Sequence, residues 1–221
     1  MGRWGYRLFE GEQDFDIAKD LGRTFSARPM QLSEMVRRTE ILVSRQAFQY
    51  YKSNQYKAEL SQTVTTVRNQ LDTGLGDRFF EKHRARESSH DDKYRVILAG
   101  ALMMRAGARI NPEHIQHIRE LVPQIKCTYA FTLPVFDTGF REPGRAQLLA
   151  ALDNYVAGTP RSFQEPSCFN CGKIQADLGF APKRCGRCRR VWYCSEACQR
   201  AQWFIHKKQC LPPSELRMLN V

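Results

Sequence analysis

The chain has 221 residues, 42% hydrophobic, 26% charged and 11% aromatic, with a formal net charge of +11 at pH 7. It has no apolar run of about 18 residues, which excludes a membrane-spanning helix. Residues 1–20 mix acidic and basic side chains with no apolar h-region, so a secretory signal is not expected and an intracellular setting, nuclear or cytoplasmic, is.

In chain order, residues 1–157 read as a predominantly helical domain with no legible chemistry. A short helix is expected over Asp14 to Leu21, then one capped by Ser33 and running from Glu34 towards Tyr50. Lys57 to Asp72 is polar and only weakly helical, Gly74-Leu75-Gly76 breaks the pattern, and Glu81 to Lys93 reads as a solvated charge run. Asp92 to Ala106 is apolar on most faces, as a buried central helix should be, with Gly107 as its stop. Asn111-Pro112 starts the next helix, Pro123 ends it, Thr132 to Gly144 reads as loop, and a last helix spans about Arg145 to Val156. His114 and His117 lie three apart without a third ligand, so a structural or solvated role is expected for both, and Cys127 reads as a small buried apolar residue.

The composition changes near Gly158. Beyond it come seven of the eight cysteines, and 11 Lys and Arg against 4 Asp and Glu. The spacing is Cys168-x2-Cys171, Cys185-x2-Cys188, Cys194-x3-Cys198 and His206-x3-Cys210. A Cys-x2-Cys turn aims two sulfurs at one metal, and residues four apart share a helix face. Eight donors in four pairs suit two tetrahedral sites, and thiolate with imidazole selects zinc. A segment near the lower size limit for an apolar core also needs such staples. The expected organisation is therefore 1–157 helical domain, 158–167 linker, 168–210 small two-zinc module and 211–221 tail.

These pairs, with Trp192-Tyr193 before Cys194, Gln199 after Cys198, and Trp203 three residues before His206, resemble a MYND-type zinc finger. The seven residues between Cys198 and His206 separate it from the related HIT-type finger, whose gap is shorter. The resemblance implies an interleaved cross-brace, with Cys168, Cys171, Cys194 and Cys198 on one zinc and Cys185, Cys188, His206 and Cys210 on the other. Spacing alone equally permits two sequential sites. The resemblance further implies a protein-interaction module or adaptor recognising proline-containing peptides on partner proteins, in settings such as transcriptional regulation, with Gln199 and Trp203 as contacts.

Two alternatives follow from other features. The basic cluster Lys183, Arg184, Arg187, Arg189 and Arg190 raises nucleic-acid binding, although the spacing is not that of the common DNA-reading finger and nucleic acid is the less expected partner. An enzyme would need a site in the unread helical domain. Some MYND fingers are inserted in SET-type methyltransferases, but no Asn-His dipeptide and hence no Asn-His-Ser-Cys motif occurs here, so no catalysis is expected.

Overall fold

The computed structural model describes residues 5–23, 30–36, 45–128 and 139–215. Its helices in chain order are α1 (Glu12–Arg23), α2 (Arg45–Lys52), α3 (Asn54–Gln70), α4 (Gly76–Arg84), α5 (His90–Ala106), α6 (Pro112–Leu121), α7 (Glu142–Asn154), α8 (Gln175–Leu178) and α9 (Glu196–His206). Strand β1 (Cys127–Thr128) pairs in parallel with β2 (Phe140–Arg141), and β3 (Lys183–Arg184) pairs antiparallel with β4 (Trp192–Tyr193).

The helical part is organised by α5. Ser89 caps it reciprocally with Asp92, the Ser89 hydroxyl accepting from Asp92 N at 3.2 Å and the carboxylate accepting from Ser89 N at 3.1 Å. Every residue from Val96 to Ala106 is buried, with α1, α3, α4 and α6 packed around them. Gly100 permits the α6 crossing, since a Cβ there would lie 2.1 Å from Ile118 Cδ1. Gly107 ends the helix at φ 76°, a left-handed conformation that suits glycine. The buried Asp14 of α1 accepts from Tyr94 OH at 2.8 Å and from Phe9 N at 3.0 Å, fastening α1 and the preceding segment to α5.

Several expectations shift at their edges. Ser33 opens a 3-10 turn, Ser33–Val36, and the rest of the helix expected from Glu34 crosses residues 37–44, outside those described, before α2. The polar stretch after Lys57 is a firm helix, because Ser53 caps α3 and Val64 and Val67 bury against the core. The break beyond α3 falls at Thr73–Gly74, and the helix resumes at Gly76. Helix α6 passes into a 3-10 turn containing Pro123. The loop expected over Thr132 to Gly144 lies partly outside the described residues. Its last residues are instead β2 and the first turn of α7, where Pro143 presets helical φ. Most of the charge run from Glu81 is exposed, but His83 is buried.

Cys127 is half-buried and bonded, not simply apolar: its Sγ donates to Glu142 Oε2 at 3.0 Å, a carboxylate placed by the first turn of α7. His114 stacks on Phe80 with centroids 4.3 Å apart and lies 3.4 Å from Asp77, while His117 reaches Glu87 at 2.6 Å. The two histidines have separate carboxylate partners and share the Phe80 ring, which His117 meets edge-on at 6.2 Å.

Residues 158–167 are held against this body. Arg161 N donates to Met104 O at 3.0 Å, and Phe163 is fully buried in the helical core against Phe9. The Arg161 guanidinium then reaches forward to Asp177 with two bonds of 2.7 and 2.6 Å, both side chains buried.

Candidate metal centre

Local backbone structure aims each donor. At the first knuckle Gly172 N donates to Cys168 O at 2.8 Å and Cys168 N donates to Lys173 O at 2.9 Å, closing the turn that carries Cys168 and Cys171. Gly172 has φ 73°, and a Cβ there would meet Ala146 O of α7 at 2.0 Å, so the turn lies directly on the helical body. The second knuckle is closed by Arg189 N donating to Cys185 O at 3.0 Å and by Cys185 N donating to Val191 O at 2.9 Å. It ends in Arg189, which takes a positive φ of 54°. Strands β3 and β4 flank this knuckle in antiparallel register, Lys183 opposite Tyr193 and Arg184 opposite Trp192. Cys194 follows β4 directly. Ser195 then caps α9 by accepting from Cys198 N at 3.2 Å, and the helix carries Cys198 in its first turn and His206 at its end.

The donors converge in two sets, Cys168, Cys171, Cys194 and Cys198 in one, and Cys185, Cys188, His206 and Cys210 in the other. Within each set the donor atoms lie within 4.8 Å of one another. Closest approaches are 3.7 Å for Cys171–Cys194, 3.4 Å for Cys194–Cys198, 3.7 Å for Cys185–Cys210 and 3.6 Å for Cys188 Sγ to His206 Nε2. Zinc–sulfur bonds of about 2.3 Å at tetrahedral angles put sulfurs about 3.8 Å apart, and a sulfur and an imidazole nitrogen about 3.6 Å apart. The cages therefore have the dimensions of zinc tetrahedra. Disulfides need sulfurs at about 2.0 Å and are not formed, all eight cysteines being free. Among the described residues these are the metal-competent groups of three or more donors.

Electrostatics point the same way. Burial raises Cys171 and Cys194, and neighbouring thiols raise them further. Burial, with Cys185 beside it, pushes Cys210 up to about 12. Burial also opposes ionisation of Cys185, but N–H groups of Cys188 and Arg187 donate to its sulfur and hold it below the ordinary thiol value. Cys198 is lowered in the same sense, burial being outweighed by hydrogen bonds that include Asn170 Nδ2 at 3.5 Å. The raised thiols, Cys171 and Cys194 in one set and Cys210 in the other, thus ionise readily only against a central cation. Zinc supplies that charge, binding thiolates and neutral imidazole; burial, then Arg190, lowers His206 towards the neutral form. With four protein donors each, the sites are closed, structural and non-catalytic.

The finger has its own small core, Phe169, Val191 and Tyr193 among the sulfurs. Tyr193 OH donates to the buried Gln202 Oε1 at 2.5 Å, which ties β4 to α9. Sequence reading missed the residues that mount this core on the helical body, because their signal is distant in the chain. Tyr6 OH donates to Gln209 Oε1 at 2.5 Å, and its ring packs edge-on to Phe169. Arg7 donates to Gln164 O and Glu165 O, each at 2.8 Å, and lies over the Trp192 ring 5.1 Å from its centroid.

The expected peptide contacts lie on α9. Gln199 is half-buried, its amide directed at Cys185 Sγ at 3.9 Å. Trp203 is 41% exposed and sits edge-on to His206 with centroids 5.7 Å apart. In the basic cluster, Arg184 lies over Trp192 and Arg190 donates to Gln209 O at 2.6 Å, while Lys183, Arg187 and Arg189 are exposed.

Comparison with known proteins assigns this segment. Residues 168–210 match the model of the MYND finger family. SET domain-containing protein 14 of Caenorhabditis elegans is 41% identical over 56 residues, which cover 25% of this chain and 12% of that protein. A SET and MYND domain-containing protein of Dictyostelium discoideum is 47% identical over 45 residues, 20% of this chain and 8% of its own length. The N-lysine methyltransferase SMYD2 of Gallus gallus is 31% identical over 94 residues, 41% of this chain and 21% of its own. The chain thus spans 8% to 21% of the length of these curated relatives. No solved structure matches it significantly.

Proposed function

We propose that the chain is an adaptor whose zinc finger recognises a proline-containing segment of a partner protein. The observation that carries this reading is the placement of Trp203, a large aromatic 41% exposed at the margin of the packed face of α9. Beside it Gln202 and His206 are buried, and Gln209 just beyond bonds Tyr6. A proline-rich peptide arrives already extended, and a flat indole suits its pyrrolidine rings. Gln199, one turn earlier, supplies an amide beside that surface. In this scheme residues 1–157 are the platform, 158–167 the strap that fixes the finger to it, 168–210 the recognition module and 211–221 a tail. Eight cysteines with no disulfide among them suit a reducing compartment, nuclear or cytoplasmic. The chain acts without catalysis of its own: its closed zinc sites activate no water, and methyl transfer belongs to relatives of which it spans a small part.

Titrating the zinc-loaded protein with a synthetic proline-rich peptide tests this. Trp203→Ala should weaken binding by about 2 kcal/mol, roughly thirtyfold, with both zinc ions retained. Gln199→Ala should cost less, since it removes one hydrogen bond. Loss of zinc from Trp203→Ala would make the residue part of the core and remove the support for a peptide site. The second reading, nucleic-acid binding, draws on the exposed Lys183, Arg187 and Arg189. It expects the reverse ranking, with loss on neutralising Arg187 and Arg189, a steep salt dependence and indifference to Trp203.

A further inference from the structure

The outer surface of α9 continues past Trp203. Phe204 is 68% exposed, and two ammonium groups lie over its ring, Lys207 Nζ at 5.3 Å and Lys208 Nζ at 4.9 Å from the centroid. Attraction to the ring draws both charges to one place, where they repel each other. Among the described residues neither has a carboxylate partner, whereas Arg200 on the same stripe is paired with Glu196 at 2.6 Å. A large exposed aromatic flanked by two unneutralised cations is a surface complementary to an acidic segment with some apolar character. Helical spacing of three and four residues sets Lys207 and Lys208 against Phe204 and places Lys207 one turn beyond Trp203. That is about 6 Å along the axis, or about two residues of an extended peptide.

We propose that the partner segment carries acidic residues about two positions from its proline, anchored by Lys207 and Lys208 around Phe204. The proposal rests on the peptide reading above and names the chemistry of the partner. Proline supplies the contact at Trp203, and the flanking carboxylates supply selectivity among proline-rich sequences.

Three synthetic peptides separate the two claims by calorimetry on the zinc-loaded chain: a neutral proline-rich peptide, the same peptide with a short glutamate run after the proline, and that acidic peptide with serine in place of proline. The glutamates should tighten binding about tenfold at low salt, the sum of two surface ion pairs. That gain should vanish in the K207Q/K208Q variant and at high salt, while the neutral peptide binds both proteins alike. No gain from the glutamates, or a gain that survives K207Q/K208Q, overturns the acidic-flank proposal and leaves the proline reading standing. Equal binding of the serine and proline versions overturns the proline reading, and with it the placement of the acids beside a proline. A single-stranded RNA oligonucleotide that displaces the acidic peptide and itself loses affinity in K207Q/K208Q would assign the lysines to nucleic acid and overturn the proposal.

Discussion

His83 lies buried near the end of α4, edge-on to Phe79 with centroids 5.2 Å apart. Burial, then the charges of Arg95, Lys82 and Arg86, lowers its pKa from 6.5 to about 4. The unfolded chain takes up a proton near pH 6.5 that the folded chain refuses until about pH 4, so stability falls as pH drops through that interval and is unaffected above it. Thermal melts of wild type and His83→Gln between pH 7 and 4.5 should show the wild type losing ground to the variant on acidification; parallel curves would contradict the assignment. Asp177 has the opposite character. Burial raises its pKa, but the two bonds from Arg161 outweigh that and leave it lowered, so its contribution is complete at neutral pH and lost only as pH falls below the ordinary carboxylate range. Asp177→Asn leaves a buried guanidinium without its counter-charge and should cost about 3 kcal/mol in a denaturant titration at pH 7. Neither effect can be read from the sequence. His83 sits in a charge run that looks solvated, and Arg161 and Asp177 are 16 residues apart with nothing local to pair them.

Among the elements, those with local signals are legible. Asn111-Pro112 opens α6, and Gly107 closes α5, because cap chemistry and backbone freedom are properties of a few adjacent residues. At Gly107 a Cβ would also lie 2.9 Å from Pro160 N. Gly107→Ala should therefore destabilise the helical part by about 1–2 kcal/mol, measured by chemical denaturation, with zinc content unchanged. The start of α7 and the pairing of β1 with β2 are less legible. Two-residue strands have no alternation to read, and the proline within the first turn of α7 looks like a loop marker. For the finger, spacing names the eight donors but leaves their grouping open. Grouping is decided by β4, which leads directly into Cys194 and sets it beside the first knuckle, and by α9, which carries the chain from Cys198 in one set to His206 in the other.

At the scale of the molecule, two cores are joined by side chains from two distant stretches of the chain. Tyr6 and Arg7 reach the finger from the start, while Phe163 reaches back into the helical core just before the finger begins. No helix among the described residues is long and apolar enough to cross a membrane. A strong chelator should unfold residues 168–210 and retain most of the helical circular dichroism, since α5 and its neighbours bury an apolar core that contains no metal donor. Full loss of helix on chelation would show that the body depends on the docked finger. The interleaved cage makes the finger one cooperative unit, because each metal ties together segments that the other separates. Cobalt substitution of Cys194→Ala and Cys188→Ala tests it most directly. The two residues lie six apart in sequence but in different sets, so Cys194→Ala should retain the spectrum of the three-cysteine, one-histidine site and Cys188→Ala that of the four-cysteine site. The reverse assignment would mean sequential sites and would contradict the fold of the finger.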